Sequence, residues 1–181
     1  MGKIGRTIER ERKYRLTQEE AARLRAELRR VGTHERTENQ ENVLLVDRAT
    51  RLKKGTLLRI RTVDGRRELT FKAKKRQEGL DKTRDELTVA IGDGPLDDIL
   101  MSLGLVPGLR YLKECAIFSF KGVIVSVDRV PDIGWFCEIE ADDLTSDLGA
   151  IADELGLTAD QFESRGYPSM AAEAGLSAKG A

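Results

Sequence analysis

Two glutamates and a lysine stand on alternate residues near the start of the chain: Glu9, Glu11 and Lys13 in "IERERKYRL". In a strand, a spacing of two turns all three side chains to one face; on a helix they scatter, apart from an i, i+4 pair of Glu9 with Lys13. Glu138 and Glu140 in "GWFCEIEAD" repeat the spacing far along the sequence. Between these acids the alternating charges are mostly cations: Arg59 and Arg61 in "TLLRIR", Lys72 and Lys74 in "LTFKAKK", and Arg84 beside Glu86 in "KTRDELTV". Carboxylate oxygens are the hard ligands that Mg²⁺ or Mn²⁺ prefers. Arg grips phosphate bidentately and Lys acts as a point charge. If both sets faced one interior, each would need neutralising. A metal–triphosphate complex satisfies both.

The formal net charge is zero, but it conceals a segregation. Residues 1–130 carry 29 Lys/Arg against 20 Asp/Glu, while Pro131 to Ser164 hold 10 Asp/Glu and no Lys or Arg. Such a division suits a polyanion on one part and a divalent cation on the other, although most of those ten acids read as solvated helical surface. The single histidine, His34, argues against a zinc or His-based hydrolase and reads as solvated in a polar loop. Cys115 and Cys137 are too far apart for a disulfide framework or zinc spacing and read as buried thiols. A length of 181 residues with 40% hydrophobic content predicts one domain over residues 1–174, with 175–181 a disordered tail. The sequence shows no apolar run for a bilayer and no signal-peptide stretch, so the expected compartment is a reducing cytoplasm, without membrane contact.

Elements that could position these residues follow from local signals. Thr17 opens "TQEE", a capping box with Glu20, and Ala21, Leu24, Leu28 and Val31 continue at helical spacing to Gly32. A separate helix there favours a strand for residues 4–14. "NVLLVD" reads as a short strand, Asp64-Gly65 as a hairpin turn, and "KTRDELTVAI" as a further strand. A short helix over 95–103 precedes a second hairpin at Lys121-Gly122 and the "GWFCEIEAD" strand; 144–156 and 159–174 read as helices. The "KKRQ" run at 74–77 reads, beyond Lys74, as the solvated end of a hairpin arm. Eight antiparallel strands predict an α+β fold, an eight-stranded antiparallel β-barrel with flanking α-helices. An ordinary half-buried sheet would also alternate apolar and charged faces. The charged faces here are almost purely charged and sorted by sign from strand to strand, which favours an interior.

Together these residues resemble the CYTH superfamily, the triphosphate tunnel metalloenzymes. Glu9-x-Glu11-x-Lys13 resembles its signature, "LLRIR" its basic strand, Lys72 its lysine strand, and Arg84-x-Glu86 its Arg-x-Glu strand. "YLKE" places Lys113 at a basic position. "VDRVPDIGWFCEIE" resembles the closing Asp128, Glu138 and Glu140, and "SRGYPSM" a late Ser-x-Tyr segment. The resemblance runs from about residue 4 to 170. It implies a tunnel in which Glu9, Glu11, Glu138 and Glu140, with Asp128, ligate one or two Mg²⁺ or Mn²⁺ ions. Arg59, Arg61, Lys72, Arg84 and Lys113 would bind phosphate, with Lys74 a weaker candidate by strand parity. Lys13, with Glu9 and Glu11, would form the catalytic group. Two departures stand out: Cys115 occupies a place where the family often has Arg, and "VLLVD" replaces an aromatic of the second strand, with Asp47 read as structural.

The resemblance implies metal-dependent hydrolysis of an inorganic or organic triphosphate. A class IV adenylyl cyclase, converting ATP to cyclic AMP and pyrophosphate, is the alternative within the family. A non-catalytic polyphosphate- or nucleotide-binding module is the alternative outside it. The partner is therefore a triphosphate-containing small molecule; basic residues confined to one face, with few aromatics, argue against duplex nucleic acid. A homodimer is left open.

Overall fold

A computed structural model describes residues 4–48 and 52–176. Nine strands run through it: β1 (Gly5–Leu16), β2 (Thr33–Asp47), β3 (Leu57–Val63), β4 (Arg66–Lys72), β5 (Arg76–Glu78), β6 (Asp81–Ile91), β7 (Leu105–Phe120), β8 (Val123–Val130) and β9 (Gly134–Ala141). Helices α1 (Gln18–Val31), α2 (Leu96–Ser102), α3 (Leu148–Glu154) and α4 (Tyr167–Glu173) flank them, with a 3₁₀ turn at Ala159–Gln161. The order β1-β9-β8-β7-β2-β3-β4-β6 closes into an eight-stranded antiparallel barrel because β1 also pairs with β6. Strand β1 is the closing stave: its first half pairs with β6 and its second with β9. The short β5 lies outside the ring, paired only with the start of β6.

Strand parity decides which side is which. Leu58 and Ile60 turn outward to a cluster with Leu45 and Leu100 of α2, while Arg59 and Arg61 of the same strand turn inward. The main apolar core lies on the outer wall. Leu24 and Leu28 of α1 and Leu148 and Ile151 of α3 pack there against Phe118, Val125, Val127 and Ile139. A third cluster joins Met170 and Ala171 of α4 to Tyr111, Val130 and Phe136. Most of the hydrophobic free energy is thus gained outside the ring, and only the α4 cluster lies on the inward face of β7, β8 and β9, which leaves the rest of the interior for charge.

The local signals act as anticipated at several points. Thr17 and Glu20 form a reciprocal capping box at the start of α1. Both hairpins turn through paired left-handed residues, Asp64-Gly65 and Lys121-Gly122, as a two-residue turn between twisted strands requires. Gly32 ends α1 in an extended conformation, so the reason for glycine is space. An added Cβ would meet the Ser119 carbonyl oxygen at 2.8 Å.

Other expectations are corrected. Strand β2 runs from Thr33, far earlier than "NVLLVD", and pairs along almost its whole length with β7. His34 is accordingly on this strand, against the Phe118 ring at 5.1 Å, and not in a loop. The predicted helix over 159–174 breaks into the 3₁₀ turn, a bridge from Phe162 to Tyr14, and α4. Residues 76–78 form β5 where a solvated arm end was expected. Asp47 accepts a hydrogen bond from the Leu52 amide at 2.5 Å, a loop-fastening role. The expected disordered tail lies, from residue 177 onward, outside the described residues. Among the described residues no helix is long and apolar enough to cross a membrane.

Leu28 is fully buried between α1 and the outer wall. Leu28→Ala should cost about 2–5 kcal/mol of stability, read by urea denaturation, because the sheet behind it cannot collapse onto the void.

Candidate active site

The barrel encloses a cavity of about 690 Å³. Its wall falls into three arcs that follow the strand order. Strands β3, β4 and β6, with the turn after β4, contribute seven cations and one carboxylate: Arg59, Arg61, Lys72, Lys74, Lys75, Lys82, Arg84 and Glu86. Strands β1 and β9, with Asp142 just beyond, contribute five carboxylates and Lys13. Strands β2, β7 and β8 form a third arc that is nearly neutral, with Arg36, Glu38 and Lys113 its charged members. The cationic and acidic arcs meet at the β6–β1 seam.

Along that seam the charges engage one another. Glu9 accepts from Lys72 Nζ at 2.9 Å and Arg84 Nε at 2.6 Å. Burial opposes its charge, but these two cations outweigh it and hold the carboxyl well below the usual range. Glu138 receives Lys13 at 3.2 Å and Lys113 at 3.4 Å, and is likewise held low against burial. Glu11 and Glu140 are directly opposed across the β1–β9 ladder. A like-charged cross-strand pair is destabilising unless a cation lies between. Lys82 approaches Glu11 only to 3.5 Å, and Glu140 is exposed on the cavity wall. Enclosure by the wall, reinforced by the nearby Glu9 carboxylate, pushes Glu140 up to about 8. An acid strained in this way is what a hard divalent cation relieves, so the donor set fits Mg²⁺ or Mn²⁺ in kind. Among the described residues, no three Asp, Glu, His or Cys side chains converge on a common point as they stand. Glu9 and Glu138 lean instead toward their ammonium and guanidinium partners.

The cations differ in how far they are already neutralised. Lys72 lies 2.7 Å from Glu86 as well as against Glu9. Arg59 and Arg61 reach carboxylates only at 3.9 Å, Glu86 and Glu68 respectively. Arg59 Nε is buried with no hydrogen-bond partner among the described residues. Burial and the neighbouring Arg61 lower the Arg59 pKa, the signature of a cation short of counter-charge. Arg59 and Arg61 are therefore among the cations available to an incoming anion, with Lys74 and Lys75, which also line the cavity.

A CYTH-domain family model matches residues 7–167. The chain belongs to the CYTH family. Among solved structures, PH1819 of Pyrococcus horikoshii OT3 superposes with a TM-score of 0.76 at 28% identity, over 91% of this chain and 98% of that one. HpAC1 of Hippeastrum, a candidate adenylyl cyclase described as having a dominant triphosphatase activity, gives 0.71 at 15% identity, over 92% and 95%. A candidate adenylate cyclase of Vibrio parahaemolyticus gives 0.68 at 19% identity, over 94% and 99%. The last two likenesses establish the shared fold. No curated protein matches the sequence.

In this CYTH chain, eleven of the twelve residues singled out from sequence line the cavity; the exception is Asp128. It is fully buried behind the wall, and its Oδ2 takes Lys113 Nζ at 2.8 Å and the Tyr167 hydroxyl at 2.7 Å. As placed, its Oδ2 orients Lys113, while its Oδ1 is buried with no hydrogen-bond partner among the described residues. The Tyr167 ring in turn lies beneath Lys13 Nζ at 3.9 Å and Lys113 Nζ at 5.1 Å, so one aromatic face steadies both ammonium groups. Three lysines donate to successive carbonyls ahead of α4: Lys82 to Glu163, Lys75 to Ser164 and Lys13 to Arg165. Lys82, Lys75 and Tyr167 had not been assigned roles from sequence. Lys82 could have been, since it shares the strand face of Arg84 and Glu86.

Glu163 fastens this segment. Hydrogen bonds from Arg165, with Arg15 adding to them, outweigh burial and hold its carboxyl at about 2, below its ordinary 4.5. A depressed folded-state pKa gives stabilisation that is complete above 4.5 and lost as pH falls toward about 2. Glu163→Gln should therefore lower stability at pH 7 by about 1–3 kcal/mol. In urea melts, the gap from wild type should close as the pH is lowered through that window.

Proposed function

We propose that this CYTH chain is a metal-dependent hydrolase of a triphosphate. The observation that carries the reading is the juxtaposition, along one seam of a closed tunnel, of an acidic arc with an arc of incompletely neutralised cations. Glu9, Glu11, Glu138 and Glu140 would hold one or two Mg²⁺ or Mn²⁺ ions. Such an ion, when bound, offsets charge on phosphate oxygens and lowers the pKa of water. Arg59 and Arg61 bind the phosphate chain, with Lys72, Lys74, Lys82 and Arg84 along the same arc. Lys13 and Lys113, seated on Tyr167, present fixed positive charge where charge develops on a leaving group.

The cavity presents no histidine and no thiolate that could act as, or activate, a protein nucleophile among the described residues. His34 does not line the cavity, and burial first, then Asp128, pushes the Cys115 thiol far up, so it stays protonated and inert. The same metal and phosphate groups would serve a cyclase that directs a ribose hydroxyl at ATP, and a binding module would hold the anion without turnover.

One assay separates the three: ATP, thiamine triphosphate and tripolyphosphate, each with Mg²⁺ or Mn²⁺, followed for orthophosphate, pyrophosphate and cyclic AMP. The expected outcome is phosphate release without cyclic AMP, stopped by EDTA and restored by metal. Cyclic AMP would replace the reading with the cyclase, and no product from any substrate would replace it with the binder. Glu9→Gln and Glu140→Gln should each lower kcat a hundredfold or more, Glu140→Gln while the melting temperature holds and Glu9→Gln with a lowered one, because it breaks a buried ion pair. Arg59→Ala should weaken triphosphate binding by about 10–100-fold, the loss of a charge-assisted hydrogen bond of roughly 1.5–3 kcal/mol.

A further inference from the structure

Apart from Lys113, the neutral arc is the part of the tunnel that metal–phosphate chemistry leaves unused. Its charged members are already committed: Arg36 pairs with Glu38 at 2.5 Å, and Lys113 with Asp128 at 2.8 Å. What remains is apolar or uncharged. Leu44, Tyr111, Cys115, Ile117 and Ile124 supply hydrocarbon, ring and thiol surface, and Gln40 and Ser126 supply neutral polar atoms. By strand order this arc is separated from the β6–β1 seam by the acidic strands on one side and the cationic strands on the other, so it faces the seam across the cavity.

Two further features point to a ligand. Gln40 is nearly fully buried on this wall; its Nε2 donates to Glu38 at 2.9 Å, while its Oε1 has no hydrogen-bond partner among the described residues. A buried acceptor left unmade costs on the order of 1–3 kcal/mol, which a donor on a bound molecule would recover. The cavity volume of about 690 Å³ is also that of a site for a drug-sized molecule, more than a bare three-phosphate chain fills.

We propose that the β2–β7–β8 arc is a subsite for an uncharged organic group carried on the triphosphate, recognised through a hydrogen-bond donor that meets Gln40 Oε1. This rests on the triphosphate reading above and narrows it to an organic triphosphate, such as a nucleoside or aminopyrimidine-bearing one. Cys115 belongs to the same device. A guanidinium at that position would carry the phosphate grip into the neutral arc, and a small thiol keeps the space free of charge.

The test measures kcat/KM on ATP, thiamine triphosphate and tripolyphosphate with the full chain, and calorimetric Kd for the same three without metal. Wild type should favour at least one organic triphosphate over tripolyphosphate tenfold or more in both readouts. Gln40→Leu should lower that preference about tenfold while leaving tripolyphosphate within twofold. Cys115→Arg, which adds a cation without touching Gln40, should raise tripolyphosphate affinity and erode the preference. A wild type that favours tripolyphosphate, or variants that shift all three ligands equally, would overturn the subsite. Tripolyphosphate turnover with poor organic turnover would overturn the subsite alone. Absence of any turnover would overturn the hydrolase reading, and the metal-free Kd values would still decide the subsite.

Discussion

Everything in this structure depends on the attraction between the β1–β9 carboxylates and the β3–β4–β6 cations across the seam where the barrel closes. Burying either set alone would be prohibitive, since even a partly solvated ion loses several kcal/mol of hydration in such a space. Pairing Glu9 with Lys72 and Arg84 at 2.6–2.9 Å compensates much of that loss. It also fixes where β1 meets β6: Glu9 lies opposite Arg84, and Glu11 opposite Lys82, in the ladder itself. A shift of one residue would turn every one of these charges into the outer hydrocarbon layer. The closing register and the charge pattern are thus one constraint. Buried ion pairs are weak sources of net stability, and here the stability comes from the outer face of the barrel wall. There Phe118 of β7, Val125 and Val127 of β8 and Ile139 of β9 are sealed by α1 and α3.

That division explains why the chain can tolerate unfinished business inside. Glu11 faces Glu140, and among the described residues neither Arg59 Nε nor Gln40 Oε1 has a hydrogen-bond partner. Each is a local cost of the kind that concentrates where a ligand completes the arrangement. The defects also differ in sign by arc. The acidic arc lacks a cation, the cationic arc lacks an anion, and the neutral arc lacks a donor. Three complementary deficits around one cavity describe a ligand with three chemically distinct parts.

Much of this was legible in the sequence because strand parity is a strong signal when one face is apolar. Arg59 and Arg61 against Leu58 and Ile60 could be sorted with no fold in hand, and the Asp64-Gly65 and Lys121-Gly122 turns set which strands were neighbours. The first half of β2 was not legible, for the same reason in reverse. In "THERTENQE" both faces are polar, so no alternation marks Arg36, Glu38 and Gln40 as inward, and only the long pairing with β7 makes the segment a strand. The opposition of Glu11 to Glu140 was hidden as well, because the stagger of a closed barrel sets that register. Asp128 shares the inward parity of a ligand, yet it is screened by Lys113 and Tyr167, a tertiary fact that spacing does not encode.

The segment ahead of α4 shows how the fold keeps some cations usable. A lysine bound to a carboxylate is largely cancelled as a source of field, whereas a lysine bound to a carbonyl keeps its full charge and loses only its freedom. Lys75 is held in the second way, by the carbonyl of Ser164. Lys82 and Lys13 have both kinds of partner: Lys82 the Glu163 carbonyl and, at 3.5 Å, Glu11; Lys13 the Arg165 carbonyl and Glu138. Carbonyls can do this only if the backbone that carries them is pinned, which is the work of Glu163 between Arg15 and Arg165 and of its amide on the Lys13 carbonyl at 2.8 Å. A peripheral ion cluster therefore preorganises interior charge without neutralising it. The chain's last described helix is, in this sense, part of the tunnel's electrostatics as much as of its packing.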